Sequence, residues 1–515
     1  MPLLRKGVLL PIEGVNFAIP STFIKDRNAF AVNMRYDRGL LRKRAGKTTK
    51  GSQTPDSDQI MGYGYLQHSS GSKFLVRASK RKIQKWNTGT STWETISIIS
   101  YAGGDEDFFS FANVTESNLL ISTNYINAPY KWGGSGNQVL LGGSPPKAKY
   151  AAYVTPYLLL AYTDDGSTVE PWRVAWSDTD APETWSGGNS GEALITDEPS
   201  IIQNVSKLNE FAAVYKKDSL AIGIRVDPPD IFRFQTVKTG IGLASPRAFS
   251  EANGQHYFMG QNDFHVWNGI RVESIGDAVR EHIFSRINRS KINRCFSIHV
   301  QNEHEVWFFI LTSSDTWPTE VWKYNYKLGF WYYDTCSGIT AGIKWENVTV
   351  LDWDSAQGTW DQQQIVWDEA SSSSAWEEIM LGNSAGLSAI VDYSTTNDQG
   401  SAVEGKFESK DFCADGPQYE LGARWLQLDI WAKGPGKLYV DYSTDEGSNW
   451  TNIPYQSSQT YADLDEMMTK FEWYFDIWTE HVRFRMRNSE SSETFYIKQF
   501  YPYHLVREEI KTYRS

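Results

Sequence analysis

At 515 residues, with Trp 21, Tyr 27, Phe 25 and Gly 40, the chain is long enough for more than one core and favours strands and turns over long helices. Its formal net charge of −12 argues against free binding to nucleic-acid phosphates, and no run approaches the roughly 18 consecutive apolar residues of a membrane helix. The opening MPLLRKGVLLPIEG is interrupted by Pro11 and Glu13, so a secretory leader is not expected; Cys295, Cys336 and Cys413 are odd in number and far apart, which suits neither a disulfide framework nor a zinc site.

A basic arm comes first. From Arg35 to Lys50 there are seven basic residues and one acid, a local +6 that leaves −18 for the rest of the chain. Gly39 reads as a turn between an upstream strand around Ala31 and Asn33 and the LLRKR run. Arg42, Lys43 and Arg44 are read either as a solvated edge strand or as a docking arm for an acidic partner surface.

Four short strands follow between Ile60 and Ile99 (IMGYGYL, KFLVRAS, KIQKWN, WETISI), and four more between Phe108 and Gly142 (FFSFANV, NLLIST, PYKW, QVLLG). Beyond the joint GGSPPKAKY, the stretch PWRVAWSDTDAPETW from Pro171 to Trp185 shows the unit most plainly. Trp172, Val174 and Trp176 alternate as a half-buried strand requires, and the Ser-Asp-Thr-Asp-Ala-Pro run is a turn by its own hydrogen-bonding chemistry. Strand, aromatic and turn recur at DFHVWNG, EVWFFI and EVWKYNYKLGFWYYD. The best helical spacing is Val279, Ile283 and Ile287, within Asp277 to Asn288.

Four-strand units of roughly 40–50 residues, repeated, predict an all-β chain whose body, residues 59–400, is a β-propeller of about 6 to 8 blades. Residues 1–58 form the N-terminal arm and edge strands. From 401 to 515 the strands lengthen and alternate strictly, as in an antiparallel β-sandwich, with Arg483, Arg485 and Arg487 on one face and Val482, Phe484 and Met486 on the other. The arginines suit a subunit contact or simply a soluble sheet face. Between Leu351 and Glu420 fourteen acids face only Lys406 and Lys410. Three Trp-Asp pairs there (Trp353-Asp354, Trp360-Asp361, Trp367-Asp368) read as hairpin turns or as a calcium loop. The same acids are candidates for a channel lining, with Asp352, Asp354, Asp361, Asp368, Glu369, Glu377 and Glu378 the nearest to those pairs, or for an outward solubilising loop.

No arrangement for nucleophilic or metal chemistry is singled out. Ser443 to Trp450 (STDEGSNW) resembles the Asp-box hairpin of sialidases and other propellers, a turn device that says nothing of catalysis. His256 and His265 lie in strand-like segments, where a structural histidine is the plainer reading than a metal ligand.

Taken in order, AVNMRYDRGLLRKRAGK, SPPKAKYAAYV, RVAWSDTDAPETW, TGIGLASPRAF, HYFMGQNDFHVWNG, INRCFSIHVQNEHEVWFFI with VWKYNYKLGFW, and the Trp-Asp triplet followed by LGNSAG resemble the tail nozzle and tail hub proteins of short-tailed bacteriophages, which include the head-stabilising tail accessory factors. The resemblance runs to about Gly386 and is looser beyond. It implies a structural virion protein of the tail, assembled in the host bacterial cytoplasm, that is not an enzyme and uses no cofactor. It also implies a homohexameric ring below portal and adaptor that forms and gates the DNA ejection channel and anchors a fibre, spike or needle, with double-stranded DNA passing through and no membrane insertion. The alternative classes are a carbohydrate-binding receptor-recognition propeller, marked by an acidic groove with clustered tryptophans, and a glycosidase.

Overall fold

The computed structural model describes residues 5–6, 14–18, 30–37, 39–228, 230–347, 376–413, 423–455 and 459–506. Alternating apolar residues and Gly- or Asx-closed turns produce short antiparallel strands, and these assemble into seven four-stranded sheets among the described residues. Blade 1 comprises Ile60–Gln67, Lys73–Ser79, Ile83–Asn87 and Thr92–Thr95; blade 2 comprises Ser110–Val114, Leu119–Thr123, Tyr130–Trp132 and Val139–Leu140. Blades 3 to 6 span Lys147–Leu194, Ile202–Thr239, Phe249–Ser274 and Phe296–Thr335. Blade 7 takes three strands, Ile339–Asn347, Trp376–Asn383 and Ser388–Asp392, from its own place in the chain and its fourth, Gly46–Thr49, from the arm.

Seven apolar clusters weld these sheets into a ring. Six join successive blades, such as Leu66, Val76 and Trp132 between blades 1 and 2, and Tyr215, Phe258 and Trp267 between blades 4 and 5. The seventh joins blade 7 to blade 1 through Ala341, Trp345, Met380, Ile60 and Tyr63. Thr340 Oγ1 donates to Ile60 O at 2.7 Å, and Tyr63 Oη shares a 2.8 Å hydrogen bond with Ser388 Oγ, across the same seam. The fold is an all-β, seven-bladed propeller with radial closure protecting the strand edges.

The expected helix is shorter than its apolar spacing. Val279, Ile283 and Ile287 are buried as the spacing requires, yet the helix covers only Arg280–Phe284, and a 3₁₀ stretch, Arg289–Arg294, follows. The Asn288 side chain accepts from Ser290 N and starts that second turn, which breaks the first.

Two further sheets form the sandwich. One orders Met34–Asp37, Leu40–Lys43, Tyr496–Val506, Ala423–Lys433 and Thr469–Thr479; the other orders Phe30–Val32, Gly405–Glu408, His481–Asn488, Lys437–Ser443 and Thr451–Asn452. Val482, Phe484 and Met486 are buried between them with Trp425, Leu428, Trp473 and Phe500, in a cluster continuous with blades 5 and 6. The arm is therefore no separate unit. It gives Phe30–Val32 to one sandwich sheet, a hairpin turning at Gly39 (φ +81°) to the other, and Gly46–Thr49 to the propeller.

Candidate functional site

The arm's cations point inward. Arg44 is 5% exposed and Lys43 1% exposed, so neither presents a docking surface, and the expectation of an exposed basic patch is corrected at these two positions. Arg44 donates to both carboxylate oxygens of Asp398 (2.9 and 2.7 Å) and to Asn33 Oδ1 (3.0 Å), with Asp334 beside it at 3.8 Å. Burial pushes the Asp398 carboxyl up, but Arg44 and Lys47 outweigh it and hold it below the usual range. Arg35 reaches Glu305 at 2.5 Å and Glu303 at 2.7 Å, and Lys323 pairs with Asp334. Lys43 meets only the oxygens of Asn488, Glu490 and Glu493 at 3.3 to 3.4 Å, and burial pulls it down to about 8. Arg42 lies half-buried on the hairpin strand between them.

The sandwich arginines lie on one face of their strand, and each is engaged within the chain. Arg483 donates to Asp411 (3.0 and 2.6 Å), while Arg485 and Arg487 converge on the buried Asp441 at 2.9 and 2.8 Å. Burial raises the Asp441 carboxyl, but hydrogen bonds from Arg487, Asn452 and Arg485 prevail and lower it. Ser443 to Trp450 is the turn device its sequence suggests. Asp445 accepts from Asn449 N at 2.9 Å and from Ser443 Oγ at 2.7 Å, and these bonds bring it down to about 2.

Of the acidic candidates, Asp352, Asp354, Asp361, Asp368, Glu369 and the three Trp-Asp pairs lie outside the described residues. Glu377 accepts from the backbone N–H of Gln301 and Asn302 (2.8 and 2.9 Å), tying blade 7 to a blade 6 turn, and Glu378 pairs with Lys50. Both fasten parts of the chain to one another.

The histidines are structural. His256 is buried between Tyr215 Oη (2.7 Å) and Lys207 O (3.0 Å), and desolvation lowers it to about 4. No group of three or more metal-ligating side chains occurs among the described residues. Cys295 is buried and pushed up to about 12 by desolvation; Cys336 and Cys413 are partly buried.

Sequence reasoning missed the face of the propeller where the inner strands of blades 2 to 5 begin. A cavity of about 330 Å³ opens there, bordered by Phe108, Tyr125, Lys149, Tyr162, Gln203 and Arg247. Lys149 Nζ stands 4.0 Å from the Tyr162 ring centroid and 5.3 Å from that of Tyr125, and the two rings meet edge to face at 5.5 Å. Arg247 lies over Phe108, 3.4 Å from its centroid, and donates to Thr340 O (2.8 Å) and Arg294 O (3.4 Å). Burial with no carboxylate beside it brings its guanidinium down to about 9. Arg247 also borders a second space, of about 380 Å³ among the inner strands, whose lining includes Phe109, Phe111, Phe249 and Phe296. The lining of the first cavity sets Glu106 and Asp107 beside Lys149 and Arg247, with Tyr125, Tyr150 and Tyr162 and no tryptophan, so it is not an acidic groove of tryptophans.

Two aromatic side chains stand among charged ones on the outer face of the sandwich, Tyr474 beside Glu472 and Trp478 beside the Arg424–Asp476 pair. Thr469–Thr479 is the sheet's edge strand, and its Tyr474 and Trp478 are 62% and 56% exposed. Register places Tyr474, Gln427 and Tyr503 in one row across the sheet, and Trp478, Arg424 and Leu505 in another.

No family model and no curated protein matches the chain. Among solved structures it is similar to an extracellular domain assigned to a hybrid two component system of B. thetaiotaomicron, with TM-score 0.40 and 10% identity over 81% of this chain and 48% of that one. The chain thus spans about half the length of that structure.

Proposed function

We propose that the chain is a structural subunit of the tail nozzle or hub of a short-tailed bacteriophage. It would form a homo-oligomeric ring, hexameric by the family resemblance, below the adaptor and carrying a fibre, spike or needle. The observation that carries the reading is the outer sandwich face. Tyrosine and tryptophan are the residues that interfaces concentrate, and an edge strand of eleven residues with two exposed aromatics is a surface that a lone soluble chain normally avoids. A second copy of this chain is the fitting occupant. The arm supports the same reading, because it threads both sandwich sheets and closes blade 7, so load on one body passes to the other through strand ladders. Double-stranded DNA, whose major groove alone is about 12 Å wide, does not fit the space of about 380 Å³ among the inner strands of one chain. Its path would be the axis between subunits, and a net charge of −12 suits passage without sticking.

The test is negative-stain microscopy and light scattering of the purified chain beside the Tyr474→Ser, Trp478→Ser double variant. Rings from the parent and monomers from the variant are expected. A parent that stays monomeric at high concentration, and a virion whose tail shows no ring of this protein, would end the proposal.

A further inference from the structure

Arg247 and Lys149 come from different blades, yet both border one cavity, and neither has a carboxylate within ion-pair distance among the described residues. A half-buried guanidinium without a counter-charge is costly, and Arg247 meets two backbone carbonyls and the faces of Phe108 and Phe296, with its Nε left without a hydrogen-bond partner. The acids on the same rim are otherwise held: Glu106 lies 3.4 Å from Arg294, and Asp107 Oδ2 accepts from Gly104 N at 2.7 Å. An anion in the cavity would balance both cations.

The rest of the lining narrows the choice of anion. The perpendicular Tyr125 and Tyr162 rings give a rigid apolar wall beside the ammonium, and the amides of Gln203 and Asn293 border the opposite side. About 330 Å³ sits at the small end of ligand sites, room for a single sugar ring rather than a long chain. We infer that this cavity binds an acidic monosaccharide, a uronic or sialic acid unit, with its carboxylate between Arg247 and Lys149 and its ring against the tyrosines. Each Nη of Arg247 carries a second N–H beyond the one it gives to a carbonyl, able to make a charge-assisted bond to a carboxylate, and the ammonium adds a second charge. The inference stands apart from the ring reading, since the cavity belongs to one chain.

Titration calorimetry of the full chain with glucuronic acid and N-acetylneuraminic acid tests it, beside glucose and inorganic phosphate. At least one acidic sugar is expected to bind at least tenfold more tightly than glucose and than phosphate, and more weakly as salt rises. Lys149→Gln, a half-buried position whose loss leaves the second space intact, is expected to weaken that binding about tenfold; Arg247→Gln is expected to abolish it. If Arg247→Gln fails to fold, Lys149→Gln decides alone. Equal affinity for glucose, phosphate as the best ligand, no binding of either acidic sugar, or binding untouched by Lys149→Gln would each overturn the inference. Ring formation is read by microscopy in the same samples, so the two readings fail separately.

Discussion

Replacing Arg44 with Met removes the guanidinium that bridges the arm, the end of blade 6 and the segment after blade 7. Asp398 loses two hydrogen bonds, at 2.9 and 2.7 Å, but keeps Lys47 at 3.1 Å; Asp334 keeps Lys323; and Asn33 Oδ1 keeps the Thr335 amide at 2.9 Å. Removing one partner of a buried pair costs about 3–5 kcal/mol, and with these surviving partners the lower end, about 3 kcal/mol, is expected. An unfolding entropy of about 2.1 cal/mol/K per residue over 515 residues makes that a drop of roughly 3 °C if the chain melts as one unit. Should sandwich and arm melt by themselves, about 150 residues, the same loss lowers their midpoint by roughly 10 °C. Tryptophan fluorescence during heating reads both. The cycle with Asp398→Asn should show a coupling of about 0.5–3 kcal/mol, as for groups in direct contact. If Arg44 instead served an external partner, the variant would melt with the parent, and a midpoint within about 1 °C of it would refute the internal reading.

Lys43 is held down to about 8 against an ordinary 10.5, so between those pH values the unfolded chain binds the extra proton and stability should climb with pH; Lys43→Met should remove that climb in denaturation at pH 7.5 and 9.5. His256, His282 and His299 are each lowered to about 4 by burial, so the unfolded chain protonates first and stability should fall as pH drops from about 6.5 toward 4. His256→Gln should make the fall shallower in urea titrations at pH 7 and pH 4.5. A Cβ on Gly46 would stand 2.1 Å from Asn397 O, so Gly46→Ala should displace the closing strand of blade 7, lower stability by about 1–3 kcal/mol and speed proteolysis near residue 390.

Blades 1 and 2 were legible because each strand carries its own period-two signal and each turn its own Gly, Asn or Ser. The expected runs from Ile60 and Phe108 differ from the observed strands by no more than three residues at their ends, and KFLVRAS coincides with Lys73–Ser79. The seventh blade was not legible as a unit, since its fourth strand lies some 300 residues from the other three and carries no mark of its partner. The cavity was hidden for the same reason. Lys149 lies in SPPKAKYAAYV and Arg247 in TGIGLASPRAF, both noticed as stretches, but only ring closure brings an ammonium of blade 3 and a guanidinium before blade 5 to one space. A signal was present in part: Arg247 directly follows Pro246 and Lys149 stands three residues after Pro146, both near the start of an inner strand, where a propeller's face is built.

The arm shows why clustering of charge along a chain need not be clustering in space. Seven basic residues against one acid over sixteen positions suggested a patch for steering an acidic partner. A strand, however, sends alternate side chains to opposite faces, and this one passes between two bodies, so its cations divide among separate partners: Arg35 to Glu303 and Glu305, Arg44 and Lys47 to Asp398, Lys50 to Glu378. Those acids come from blades 6 and 7 and the segment that follows, the elements the arm must reach to close the ring. Pairing of this kind gives little net stability over an apolar seam, but it penalises every wrong register, because a shift by one residue would leave several buried charges unmatched. Four of these seven charges, on Arg35, Arg44, Lys47 and Lys50, are thus spent in selecting the closure of the propeller and are not available for steering. In the ring proposed above, recognition between subunits would then fall to the exposed Tyr474 and Trp478 rather than to the basic arm, and these are the positions an assembly experiment should disrupt first.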